Sequence, residues 1–311
     1  ILMSSSVDPG NIQVPRPYEA LAGDCRDAAA QAMRAQGRRM PLSERSADPA
    51  ARRRLQRERR RQLESFLWIE PNPQALSRMA DLIDEICAEG AWSAETALDD
   101  PFRPIIDLQA AETGALMAWT LRRHASKLAE LSPALPALML SEVRRRLTAP
   151  ILAHEDYPFM AARGACPALI ACDLLLCLLL MEKAPARRQG AIKLLLQTLD
   201  RICGLRSREL APLSERLADA CAVADLARLI KRLTRGELDL TRDYPPESWM
   251  DDVLIPWIGG EYFIDPSGEG MRPALSGMDL FRLGYFTYDR ALSALGAQLR
   301  RRADRPGFSL T

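Results

Sequence analysis

Seven arginines fall within Arg52-Arg53-Arg54-Leu55-Gln56-Arg57-Glu58-Arg59-Arg60-Arg61, enough guanidinium groups to hold an anionic polymer through several charge-assisted contacts at once. Leu55, Leu63, Phe66 and Leu67 give the same stretch an apolar side, so the plainer expectation is a helix with a solvated basic face. If that face binds anything, a sulfated or uronate glycan is the natural partner. Tryptophans at 68, 92, 119, 249 and 257 offer flat apolar surfaces on which sugar rings can stack. Trp119 lies inside an apolar helical stretch and reads as core. Trp92 and Trp257 sit beside loop signals and are candidates for lining a cleft, as is Tyr262.

Other chemistry is poorly served. The only histidines, His124 and His154, are far apart, and no Cys-x-x-Cys pair occurs, so the ligands of a zinc cage are missing and no metal or cofactor is expected. Gly268-Glu269-Gly270 lacks both the strand-loop-helix setting and the Lys-Ser/Thr of a phosphate loop. Asp251-Asp252 lacks the third aspartate of a magnesium-binding helical cyclase, because position 255 is Ile255. His154, in His154-Glu155-Asp156-Tyr157, reads as a capping or surface group before it reads as a catalyst.

The elements that must position these groups are helices. Asp48-Pro49, Asn72-Pro73 and Ser132-Pro133 each place a capping side chain before a proline suited to a first helical turn. Leu76, Met79, Ala80, Ile83 and Ile86 recur at helical spacing. Leu135 to Leu152, Ala168 to Glu182, Ala186 to Cys203, Leu213 to Arg235 and Met278 to Arg302 all read as helices, and only Tyr262-Phe263-Ile264 looks extended. Ala168 to Met181 is apolar nearly all round, as an inner helix would be, whereas Leu213 to Arg235 alternates apolar and charged residues as an outer one does. The expected fold class is all-α: antiparallel helical hairpins over residues 16–303, with a flexible N-terminal segment 1–15, a tail 304–311 and no β-sandwich.

Charge balance limits the partners. With 42 basic and 41 acidic residues, no global field draws the chain to nucleic acid or an anionic membrane, and neither partner is expected. The seven cysteines read as buried, reduced thiols, and residues 1–15 show no basic segment followed by an apolar one, so the expected compartment is the cytoplasm. Pro167 to Met181, the most apolar run, falls short of the ~20 residues that span a bilayer and carries Asp173 in its middle.

Three stretches carry a resemblance. Ile105-Ile106-Asp107-Leu108-Gln109-Ala110-Ala111-Glu112-Thr113-Gly114-Ala115, with Ala118-Trp119, is one. Asp173-Leu174-Leu175-Leu176 through Leu180-Met181-Glu182-Lys183 is the second, and Gly236-Glu237-Leu238-Asp239-Leu240 with Gly260-Glu261-Tyr262-Phe263-Ile264-Asp265 the third. In order and spacing they resemble the helical half of heparinase II/III-like polysaccharide lyases, over roughly Pro41 to Leu299. The resemblance implies an incomplete α/α toroid and, for the family, β-elimination on uronic-acid polysaccharides in a cleft between the toroid and a β-sandwich.

That elimination needs a uronate carboxylate neutralised, a base for the C5 proton and an acid for the departing oxygen. Where the family carries an asparagine-rich stretch, this chain has Arg163-Gly164-Ala165-Cys166-Pro167, and Asn11 and Asn72 are its only asparagines. Where a tyrosine-bearing loop is implied, it has Leu205-Arg206-Ser207-Arg208-Glu209, and the tryptophan implied to precede a histidine, Trp92, is followed by Ser93-Ala94-Glu95-Thr96. Activity would have to recruit Arg163 for the carboxylate, His154 or Tyr157 as base and Glu209 as acid. Arg206 and Arg208 join Trp92, Trp257 and Tyr262 as candidates for substrate contact. The expected chain is a catalytically degenerate glycan binder, the alternative a helical scaffold for another protein.

Overall fold

The structure is a computed structural model that describes residues 49–67, 70–93, 104–154, 156–161, 163, 166–206, 213–237, 239–240, 257–258, 262–264 and 270–271. The expected terminal segments 1–15 and 304–311, the expected helix Met278 to Arg302, and Arg208 and Glu209 lie outside the described residues. The chain is all-α in character. Its helices are α1 (Pro49–Leu67), α2 (Pro73–Cys87), α3 (Leu108–Leu131), α4 (Leu135–Val143), α5 (Pro150–Ala153), α6 (Pro167–Met181), α7 (Pro185–Arg206) and α8 (Leu213–Leu233). A π-helical segment, Arg144–Thr148, joins α4 to α5, and a 3-10 turn spans Pro158–Ala161.

Short strands β1 (Trp257–Ile258), β2 (Tyr262–Ile264) and β3 (Gly270–Met271) form an antiparallel sheet in that order, with Phe263 opposite both Trp257 and Met271. The extended stretch read at Tyr262 to Ile264 is its middle strand. The outer strands, two residues each, are too short to show any alternation.

The chain groups into two compact units, one of Gln13–Tyr157 with Asp173–Ile192, the other of Ile1–Ile12, Pro158–Cys172 and Lys193–Thr311. In the first unit α1, α2, α3 and α4 pack on one another, and the π segment adjoins α3, α4 and α5. Helix starts follow local chemistry. The Asn72 side chain accepts from the Ala75 amide at 2.8 Å, with Pro73 opening α2, and Asp107 accepts from the Ala110 amide at 2.9 Å to open α3. Ser132 differs from expectation: it terminates α3, its amide reaching the Leu128 carbonyl, and α4 begins at Leu135 without a side-chain cap. The core of this unit includes Leu63, Phe66, Met79, Ile83, Ile86, Met117, Leu128, Met139 and Leu147, all fully buried.

Gly114 marks the closest approach. A β-carbon built there would lie 2.2 Å from Leu147 Cδ1 and 3.0 Å from Cys177 Sγ, so a larger residue forces those side chains to move. In the second unit Cys166 adopts a left-handed backbone with φ of 48° and leads into α6. The buried Asp219 of α8 supplies a cap from elsewhere in the chain, its Oδ1 accepting from the Leu169 amide at 2.7 Å at the positive end of that helix. Among the described residues no helix is long and apolar enough to cross a membrane.

Candidate functional site

Polar chemistry in the first unit concentrates where the inner face of α1 meets the end of α2. Gln56, Arg60, Leu63 and Leu67 share that inner face at spacings of four, three and four residues, so two polar side chains ride on an apolar stripe. Arg60 is buried and uses its whole fork. Its Nη2 donates to Glu89 Oε2 at 2.8 Å, its Nε to Thr113 Oγ1 at 2.5 Å and its Nη1 to the Gln56 carbonyl at 2.8 Å. Arg59 pairs with Glu85 at 2.8 Å and with Glu89 at 3.3 Å. Gln56 donates to the Ala91 carbonyl and Gln109 to the Trp92 carbonyl, each at 3.1 Å.

Arg146 closes the same region from the π segment. Its Nη2 donates to the carbonyls of Cys87 at 3.2 Å and Glu89 at 2.6 Å, and its Nη1 to that of Gly90 at 3.2 Å, satisfying backbone acceptors past the end of α2. Its guanidinium carbon stands 5.0 Å from the centroid of the Trp92 ring. Glu142 takes Arg145 and Arg146 on one oxygen at 2.7 Å each. Burial alone would raise the Glu142 pKa, but the hydrogen bonds from Arg145 and Arg146 outweigh it and hold the carboxyl below its ordinary value.

This network offers no reactive group. Every carboxylate in it is held by arginine, and the Cys87 thiol beside it is pushed up to about 12, by burial first and the Glu142 charge second. Its effect is to lock four segments together and to turn the rest of α1 outward, where Arg52, Arg53, Arg54, Arg57 and Arg61 are exposed. The arginine run thus divides, and the solvated face expected for it lacks Arg59 and Arg60.

The sequence candidates disperse. Trp92 is buried, its indole N–H donating to the Ile86 carbonyl at 3.0 Å and one ring face covered by Arg146, so it presents no surface for stacking. Tyr157 is also buried, and its hydroxyl donates to the Pro104 carbonyl at 3.1 Å. His154 is half-buried at the C-terminal end of α5, with its ring edge-on to Tyr157 at 6.4 Å between centroids. Arg163 is exposed and belongs to the second unit. Arg206 ends α7, and Trp257 and Tyr262 lie in β1 and β2. Trp119, expected in the core, is only half-buried.

His124, by contrast, is buried, with Nε2 3.3 Å from the Leu67 carbonyl; a carbonyl can only accept, so Nε2 carries the proton. Burial keeps its pKa below the ordinary value, with Arg123 adding to the effect and the Leu67 hydrogen bond opposing it. Among the described residues no three His, Cys, Asp or Glu side chains come together as a metal site would require.

Sequence reasoning passed over Arg146 and Glu89. The available signal was polar residues on the apolar stripe of α1, which call for buried partners elsewhere in the chain. Neither a protein-family model nor a curated protein matches the chain.

Proposed function

We propose that this chain is a non-catalytic, polysaccharide-binding helical domain of the heparinase II/III-like kind, its helical hairpins arranged as an incomplete α/α toroid. The three resembling stretches support the kinship, and the helical character of the chain is compatible with it. The observation that carries the non-catalytic part is Tyr157: of the two candidate bases, the phenol is buried and spends its proton on the Pro104 carbonyl. A phenol so placed has no open path to a sugar C5 proton. Acidic glycan is the ligand that the exposed arginines favour.

The test is incubation of the protein with heparin, alginate, chondroitin and pectin-type polymers while ultraviolet absorbance from an unsaturated uronate product is followed. No absorbance is expected. A clear rise on any polymer overturns the non-catalytic reading, and loss of that rise in His154→Ala would make the histidine the base.

A second reading, a scaffold for another protein, draws on Leu131, Leu138 and Leu152, which are 47%, 37% and 38% exposed. Association with a protein partner that Leu131→Glu and Leu138→Glu abolish, in a chain that binds no glycan, would establish it.

A further inference from the structure

The two sides of α1 carry different arginines, and the difference assigns a binding surface. Arg59 and Arg60 are tied to Glu85 and Glu89. Arg53, Arg57 and Arg61 stand at successive four-residue intervals, and Arg54 falls beside them, so four exposed guanidinium groups occupy one strip about 12 Å long at the ~1.5 Å rise of a helix. Like charges at this spacing repel and weaken a helix, and no ion pair within the protein relieves any of these four. The chain as a whole carries a formal charge of only +1, so the strip is a local excess.

The rigidity of its mounting adds to the argument. Because Arg60, Arg59, Gln56 and Leu63 anchor α1 from below, the outward arginines project from a fixed rod, and ordering the helix costs nothing further on binding. The chemistry that such a row recognises is a polymer with repeated planar or tetrahedral oxyanions, carboxylate or sulfate, each matched by a guanidinium fork. Nothing on this face reads a nucleotide base: it carries no aromatic ring for stacking, and the nearby amide, Gln62, is engaged by Glu58 and Arg78.

The geometry points to the α1 strip Arg53, Arg54, Arg57 and Arg61 as the contact surface for a sulfated or carboxylated polysaccharide, which rests on the glycan-binding reading above and places it. The full chain is titrated with a heparin-derived oligosaccharide, with hyaluronan, with duplex DNA and with single-stranded RNA at several salt concentrations. Wild type is expected to bind the glycans, with affinity falling steeply as salt rises. The quadruple variant Arg53→Gln, Arg54→Gln, Arg57→Gln, Arg61→Gln is expected to lose about tenfold or more in affinity and to show a shallower salt dependence. A control that removes charge elsewhere, Lys183→Gln with Lys193→Gln and Arg235→Gln, is expected to keep both.

Glycan affinity unchanged in the quadruple variant overturns this surface and leaves the glycan-binding reading intact. Wild type that binds no glycan overturns both, and binding of DNA or RNA alone would make nucleic acid the partner. Unchanged circular dichroism and melting in the quadruple variant separate lost contacts from lost structure.

Discussion

Around Gly114 the first unit is closed by aliphatic and thiol contacts alone, with Leu147 and Cys177 filling the place where a side chain would stand. Around Glu89 the same unit is closed by guanidinium forks on carboxylates and carbonyls, on residues from α1, α2 and the π segment. The apolar closure tolerates no added volume but leaves no charge stranded when an atom is lost. The charged closure has the opposite weakness. Each arginine is satisfied only while its partner is present, because a charge left alone in the interior costs far more than a missing methyl group.

The largest expected effect comes from breaking the charged side. Glu89→Ala strands Arg60 among buried neighbours and should cost about 3–5 kcal/mol, read as a shift in the urea midpoint. Arg60→Met combined with Glu89→Leu should cost less than Glu89→Leu alone, since removing both charges leaves neither unpaired. Equal or greater loss in the double variant would show that the two closures do not differ as described.

Overfilling the apolar side comes next. Gly114→Leu should destabilise by about 1–3 kcal/mol, and shortening the obstructing side chain by Leu147→Ala in the same protein should recover part of that. No recovery would mean that the strain lies elsewhere.

The smallest effect is expected at His124, a buried polar group with a single uncharged partner. Its folded pKa lies below the unfolded value of 6.5, so the unfolded chain binds the extra proton more readily. Its contribution is therefore intact above about pH 6.5 and is lost as pH falls from there toward the folded pKa. Melting temperature in wild type should drop more over that window than in His124→Gln, and matching profiles would exclude the histidine as the cause.

Helices were largely legible because their signals are local. Asn72-Pro73 announces α2, and the apolar run from Ala168 marks α6 within a residue or two at each end. The single helix read over Leu135 to Leu152 was not so simple, since Leu135, Met139 and Val143 keep one face buried and then Arg146, Leu147 and Thr148 are buried in succession. Only packing against α3 and the end of α2 calls for the wider turn. The network at Glu89 was illegible for a related reason. Arg60 and Glu89 are separated by 29 residues, and nothing in either neighbourhood names the other. The candidates taken from the resemblance fared differently again, because Tyr157 and Trp92 have side chains suited both to catalysis or stacking and to burial, and composition alone does not choose.

The five-residue π turn at Arg144–Thr148, in which the Ala149 amide reaches back to the Arg144 carbonyl, makes chain length at this point a structural variable. An ordinary α-helix advances about 100° per residue, so deleting one residue here would swing every later position of the helix by about that angle against those before it. Arg146 would then leave the Trp92 ring and the frayed carbonyls together. A frame-preserving loss of one codon is thus more damaging at this site than many substitutions, and relatives of the chain, when aligned, should tolerate gaps almost anywhere before they tolerate one between Val143 and Ala149.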